Sequence, residues 1–208
     1  MDVVLATANP DKIQEMREIL PESVFRFRSM QEAGFCEPIE ENGKTFAENA
    51  LIKAQAVHAQ TGGYVLADDS GLSVDLLDGA PGIYSARFAG ENAGYAEKIA
   101  RLHNLLAPWP PDLWHASFIC VIALVRPDGS SLTVRGECQG MISPESRGSN
   151  GFGYDPVFLL PDRGMTMAEL PAEEKHRISH RGQALRKMAA LLQKEMAPDE
   201  TAAGPDAR

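Results

Sequence analysis

The chain has 208 residues, 44% of them hydrophobic and 24% charged, with a formal net charge of −9 at pH 7. That is the make-up of an ordinary soluble globular protein, long enough to bury a core without disulfide or metal staples. The acidic balance argues against nucleic acid as a partner, since that needs clustered Lys and Arg, but leaves room for an anionic small molecule held by a few local cations.

Val3-Val4-Leu5-Ala6-Thr7 reads as a short buried strand. Thr7-Ala8-Asn9-Pro10-Asp11-Lys12 then opens a helix with Ile13, Met16, Ile19 and Leu20 on its apolar face. Asn9 suits the N-cap, Pro10 the first helical position and Asp11 the first turn. Such a terminus offers N–H groups and partial positive charge to a phosphate, and Lys12 adds a full charge. An ordinary capped helix with a solvated Lys12 fits the same residues. The glycine-rich phosphate loop ending in Gly-Lys-Ser/Thr is absent. Val24-Phe25-Arg26-Phe27 alternates like a strand, and Glu37 to Gly43 is acidic and turn-like. Thr45 three places before Glu48 is a capping box. It opens a helix to about Gln60, with Phe46, Ala50, Leu51, Ala54 and Val57 apolar and Gly62-Gly63 past its end.

Tyr64-Val65-Leu66-Ala67 reads as a buried strand that stops at Asp68-Asp69-Ser70-Gly71. Adjacent carboxylates repel unless something positive lies beside them, and hard divalent cations prefer oxygen ligands. Gly71 lets the backbone turn and approach a ligand. This predicts a Mg2+ site; an Asp-rich turn is the competing reading. Glu41 and Glu48 are the acidic candidates to join Asp69 on a metal, with Glu48 better explained by its capping box. Leu72 to Leu77 alternates, Gly79-Ala80-Pro81-Gly82 forms a turn, and Arg87 follows as a phosphate contact or a surface residue.

Tyr95 to Leu106 reads as a helix with Ile99, Leu102 and Leu106 on one face, stopped by Pro108-Trp109-Pro110-Pro111. Ala116 to Val125 and Leu132 to Cys138 flank the turn Pro127-Asp128-Gly129-Ser130, so the sheet is at least partly antiparallel. Ser146 to Asp155 is a glycine-rich loop carrying Phe152 and Tyr154, ahead of a short strand at Pro156 to Leu160. A ring between Gly151 and Gly153 suits stacking on a base, or a place in the core. Lys175, His180 and Arg181 lie in a basic stretch leading into a last helix with Ala184, Leu185, Met188, Leu191 and Leu192. Ser179 suits its cap. Cations at a helix N-terminus are disfavoured by its dipole, which points to an anion or oxygen-rich ligand nearby. An exposed charged turn is the plainer alternative. Residues 1–196 form one domain, and 197–208 a disordered tail rich in Pro, Ala and Asp.

No apolar stretch approaches the ~18 residues of a membrane span, so no membrane partner is expected. Asp2 leads straight into the first strand without a basic n-region, so no secretory signal is expected. Cys36, Cys120 and Cys138 are odd in number and lack a Cys-x-x-Cys pair. They fit reduced, packing thiols in a cytoplasmic protein, with Cys120 and Cys138 near each other across the hairpin.

Phosphate, metal, stacking and base-reading segments together are what a nucleoside triphosphate pocket needs. The sequence closely resembles the inosine/xanthosine triphosphate pyrophosphatase family. The carrying residues are Leu5 to Lys12, Thr45-Phe46-Ala47-Glu48-Asn49-Ala50, Ala67-Asp68-Asp69-Ser70-Gly71-Leu72, Gly79 to Arg87, Gly151-Phe152-Gly153-Tyr154-Asp155-Pro156 and Ser179-His180-Arg181-Gly182. They come in the family's order with no departure at a motif position. The resemblance implies an α/β fold, with a long twisted mixed sheet, flanking helices and two lobes around a nucleotide cleft. It implies a Mg2+-dependent homodimer that hydrolyses ITP, dITP and XTP to the monophosphate and pyrophosphate. It places Thr7, Ala8, Asn9, Pro10, Asp11 and Lys12 on the triphosphate. It makes Asp69 metal ligand and general base, matches Glu41 to a second metal contact of some members and makes Ser70 a substrate contact. Phe152, Gly153, Tyr154, Asp155, Lys175, His180 and Arg181 fall on the nucleoside, with Phe152 stacked on the base. Rival readings are a pyrophosphatase for modified pyrimidine nucleotides and a nucleotide-binding regulatory module without catalysis.

Overall fold

The computed structural model describes residues 1–21 and 24–196, so the expected tail at 197–208 lies outside the described residues. Seven strands, β1 (Asp2–Leu5), β2 (Arg26–Ser29), β3 (Tyr64–Val74), β4 (His115–Val125), β5 (Ser131–Ile142), β6 (Phe158–Leu160) and β7 (Met165–Thr166), form one mixed sheet in the order β2-β1-β3-β4-β5-β6-β7. β1 runs parallel to β2 and β3; every pairing from β3 to β7 is antiparallel. Five helices flank it: α1 (Pro10–Ile19), α2 (Phe46–Thr61), α3 (Tyr95–Leu106), α4 (Ala172–Ile178) and α5 (His180–Met196). Among the described residues no helix is long and apolar enough to cross a membrane.

The helix ends follow local chemistry. Asn9 Oδ1 accepts the Asp11 and Lys12 backbone N–H groups at 2.9 and 3.2 Å, with Pro10 at the first position. Thr45 Oγ1 accepts the Glu48 N–H, and the Glu48 carboxylate accepts the N–H of Lys44. Glu48 is thus a capping residue. α2 ends at Gly62 with φ +62°, a conformation that favours glycine.

One expectation fails here. β3 does not stop at the acidic pair; it runs through Asp68-Asp69-Ser70-Gly71, with Asp68 opposite Ile122 and Gly71 opposite Ile119 on β4. Successive side chains on a strand point to opposite faces, so the two carboxylates diverge and need no ion between them. Gly71 serves a close approach rather than a turn. A Cβ there would lie 2.4 Å from the Gly82 carbonyl oxygen and 2.5 Å from Ser85 Oγ. The loop after β3 folds back onto this point, and Ser85 Oγ accepts the Leu72 N–H at 2.9 Å.

The pleat also sorts the core. α2 packs Ala50, Ala54 and Val57 on Val4, Ala6, Val65, Ala67, Val121 and Ala123. α1 and α5 pack Met16, Leu20, Ala184, Leu185 and Met188 on Leu5, Leu66, Cys120, Ile122 and Leu124. A third cluster joins α3 through Leu102 and Leu106 to Leu72, Val74, Phe118 and Phe158. Each fully buried Leu or Phe contributes about 1.5–3 kcal/mol. Leu66 and Leu72 therefore belong to different cores, although both stand on the same face of β3. Asp68 and Ser70 lie between them, where the apolar packing is interrupted. Cys120 faces Gly136 across the hairpin and Cys138 faces Phe118. Both are buried free thiols, and Cys36 is exposed.

Candidate active site

A cleft of about 420 Å³ opens where the cores meet. Thr7, Ala8, Asn9, Lys12, Glu41, Asp69, Ser70, Phe152, Gly153, Tyr154, Asp155, Lys175, His180 and Arg181 all line it. Pro10 and Asp11 are exposed and do not. Arg87 is exposed on the cleft wall with its guanidinium 5.0 Å from the Tyr84 ring centroid.

On the α1/α5 face, Asp68 is fully buried. Its Oδ2 meets Lys12 Nζ at 2.9 Å and Arg181 Nη2 at 3.3 Å, and accepts the Ser70 hydroxyl at 3.2 Å. Burial alone raises a carboxyl pKa. Lys12, Arg181 and Lys53 outweigh it and hold Asp68 well below the usual carboxylate range. Lys12 is therefore not a solvated residue, and Asp68 is a poor proton acceptor.

Arg181 is also buried. Its Nη1 donates to Glu15 Oε2 at 2.5 Å and its Nη2 to Ser70 Oγ at 2.8 Å. Glu15 Oε1 pairs with Lys175 Nζ at 2.7 Å, and Lys175 pairs with Asp155 Oδ2 at 2.7 Å. The oxygen-rich partners demanded by the cations around α5 are thus carboxylates of the protein itself. Glu15 stays ionised: burial raises it, but Arg181 and Lys175 bring it below its ordinary value. Phe152 lies over this pair of cations, its ring centroid 4.9 Å from Lys175 Nζ and 5.5 Å from Arg181 Cζ. Its N–H donates to Asp155 Oδ2 at 2.9 Å. Gly151 is required beside it, because φ is +73° and a Cβ would lie 2.1 Å from Asp155 Oδ2. The Tyr154 hydroxyl donates to the Ser85 carbonyl and its ring meets Tyr95 edge-on.

His180 is buried and stacks on Phe118 at 4.8 Å. Burial, then the positive charges of Arg181 and Lys175, push it well below the ordinary histidine value. It is neutral, and its Nδ1 has no hydrogen-bond partner among the described residues.

On the α2 face, Asp69 Oδ2 accepts from Asn49 Nδ2 at 3.2 Å and Oδ1 lies 3.5 Å from Lys53 Nζ. Lys53 Nζ also reaches Glu41 Oε2 at 2.9 Å. Burial raises the Asp69 carboxyl, with Lys53 and Lys12 opposing and Glu41 adding to it; the net shift is upward. Burial lowers Lys53, but Asp69, Asp68 and Glu41 outweigh it and keep the ammonium charged. One carboxylate of the adjacent pair is thus locked as an ion, and its neighbour is made more basic.

Glu15, Asn49, Lys53 and Tyr95 were not singled out as site residues from sequence. A signal existed for two of them. Asn49 and Lys53 are four apart and interrupt the apolar stripe of Ala50, Ala54 and Val57, and polar residues on a core-facing stripe need partners. Glu15 carries no comparable mark, since its partners come from the far end of the chain.

Residues 3–191 match the Ham1 family model. The dITP/XTP pyrophosphatase of Bacillus licheniformis is 46% identical over 191 residues, covering 92% of this chain and 97% of that protein. Its counterpart from Bacillus subtilis is 45% identical over 192 residues, with the same coverage. Among solved structures, a HAM1 protein from Coxiella burnetii superposes with a TM-score of 0.86 at 44% identity, over 93% of this chain and 99% of its own. The Ham1 protein of Staphylococcus aureus does so at 0.84 and 39% identity, over 94% and 100%. With a family match across nearly the whole chain and relatives of this similarity, the chain belongs to the Ham1 family.

Proposed function

We propose that this protein hydrolyses deaminated purine nucleoside triphosphates (ITP, dITP and XTP) to the monophosphate and pyrophosphate, clearing them from the nucleotide pool. The observation that carries this reading is a single cleft with cationic walls at Lys12 and Lys53, a basic carboxylate at Asp69 and an aromatic slot at Phe152. The relatives named dITP/XTP pyrophosphatase support the substrate class.

Glu41 and Asp69 are the proposed ligands of Mg2+. Both already contact one ammonium, so the donor set is oxygen-only and arranged around a positive charge. No cluster of three or more His, Cys, Asp or Glu suited to a metal exists among the described residues. Two carboxylates suit Mg2+, which commonly takes one or two and completes its shell with phosphate and water. When bound, the ion neutralises phosphate charge.

Thr7, Ala8, Asn9 and Lys12 face the triphosphate in this reading. Pro10 and Asp11 hold the helix start behind them. Asp69, on the cleft wall, takes the proton of the water attacking the α-phosphorus as pyrophosphate leaves. Ser70 contacts substrate and Asp68 fixes Lys12 and Arg181. The base stacks on Phe152. Hypoxanthine and xanthine offer an O6 acceptor where adenine has an amino donor. A buried donor on Arg181 or His180 left unpaired against adenine costs about 1–3 kcal/mol, or roughly 5- to 150-fold. A homodimer working in the cytoplasm completes the proposal, on the family resemblance alone.

The test is a panel of ITP, XTP, ATP and GTP with pyrophosphate and phosphate both quantified. Mg2+-dependent pyrophosphate release from ITP and XTP, with much weaker turnover of ATP and GTP, is expected. Comparable turnover of all four, or release of phosphate alone, overturns the proposal. Binding of ITP without product returns the chain to the class of regulatory modules.

A further inference from the structure

The charges of the cleft divide unevenly between the two faces of β3. On the α1/α5 face three cations, Lys12, Arg181 and Lys175, meet three carboxylates, Asp68, Glu15 and Asp155. On the α2 face one cation among the described residues, Lys53, meets two, Glu41 at 2.9 Å and Asp69 at 3.5 Å. Lys53 is 8% exposed, and its backbone is fixed in the middle of α2. Without it, Glu41 and Asp69 would both lose the cation they share. With it, one of those two negative charges is already balanced.

We propose that Lys53 is a built-in counter-ion that competes with the divalent cation for Glu41 and Asp69 in the free protein. This rests on the reading of Glu41 and Asp69 as metal ligands. An ammonium 2.9 Å from one carboxylate and 3.5 Å from the other repels a second cation entering between them. A triphosphate relieves it. Lys53 lines the cleft, and its four-carbon stem lets the ammonium turn from the carboxylates to a phosphate while the helix stays in place. Metal and nucleotide then bind with positive coupling, each favouring the other by the same factor. The free protein stays poor in metal, and the carboxylates remain apart from adventitious ions until substrate arrives.

The test is Mn2+ binding to the metal-free full chain at pH 8 without nucleotide, followed by electron paramagnetic resonance. Lys53→Met removes the charge, and Lys53→Gln is a second variant that retains a polar head. Thermal melts with and without Mn2+ establish that each is folded. Both variants are expected to bind Mn2+ at least tenfold more tightly than the wild type, about 1.4 kcal/mol. That gain is expected to vanish when Glu41→Gln is added. Equal or weaker binding in both variants, still sensitive to Glu41→Gln, overturns the competition and leaves the metal-site reading standing. Binding in the Lys53 variants that ignores Glu41→Gln overturns the metal-site reading and the competition together.

Discussion

Asp68 and Asp69 are neighbours in the chain with opposite expected roles, and replacing each by Asn separates them. Asp68→Asn keeps the shape of a fully buried side chain but removes the charge that Lys12 and Arg181 face at 2.9 and 3.3 Å. Removing one partner from a buried ion pair costs about 3–5 kcal/mol, because the remaining charge stays desolvated. Arg181 keeps Glu15, so the lower end of that range applies. In a chain of this size 1 kcal/mol moves Tm by about 2–4 °C, which puts Asp68→Asn roughly 10 °C below the wild type at pH 7. The pH dependence has a definite sign. The folded-state pKa of Asp68 lies below its unfolded value, so its contribution is present above about pH 4 and lost as pH falls further. The gap between wild type and variant therefore closes in acid. Asp69→Asn behaves in the reverse way. Its folded-state pKa is raised, so the fold favours the uncharged form, and Asn imitates that form. Its Tm is expected at or above the wild-type value while pyrophosphate release from ITP nearly stops. Melts by circular dichroism at pH 7 and in steps down to pH 3, beside turnover assays, measure both. An Asp68→Asn melt within about 2 °C of wild type at pH 7 refutes the ion-pair argument. Full activity in Asp69→Asn removes it from the mechanism.

Gly136→Ala tests how the sheet positions α5. A Cβ there would lie 2.0 Å from the His180 carbonyl oxygen and 2.7 Å from the Ala184 nitrogen, so the helix must lift. A loss of about 1–3 kcal/mol and a fall in kcat/KM are expected together; a variant normal in both contradicts this packing. Phe152→Ala removes the stacking ring, worth about 1–3 kcal/mol, and lowers kcat/KM for ITP roughly 5- to 150-fold without a matching loss of Tm. An unchanged kcat/KM takes Phe152 off the base. Burial pushes the Cys120 thiol up to about 12 and Cys138 up to about 11, whereas Cys36 is exposed. A disulfide reagent at pH 8 is expected to titrate one thiol per native chain, and rapid reaction of a second contradicts their burial.

Much of the local architecture is determined by sequence alone. Thr45 and Gly62 bound α2 because a side-chain acceptor and a glycine settle a helix end within a few residues. The helix at Tyr95–Leu106 and the β4–β5 hairpin follow from periodicity and turn residues. The family motifs were equally legible, because each is a short contiguous run. Tertiary structure decided what the acidic pair is. A strand run and a strand followed by a turn read alike at Ala67 to Gly71 until β4 is seen paired along it. Only the sheet sends Asp68 toward α1 and α5 and Asp69 toward α2. Their counter-ions are long-range: Arg181 reaches Asp68 across 113 residues and Glu15 across 166. A carboxylate's environment depends on which charges surround it in space, and chain order does not encode that distance. The same two residue types in adjacent positions therefore became one structural ion and one proposed base.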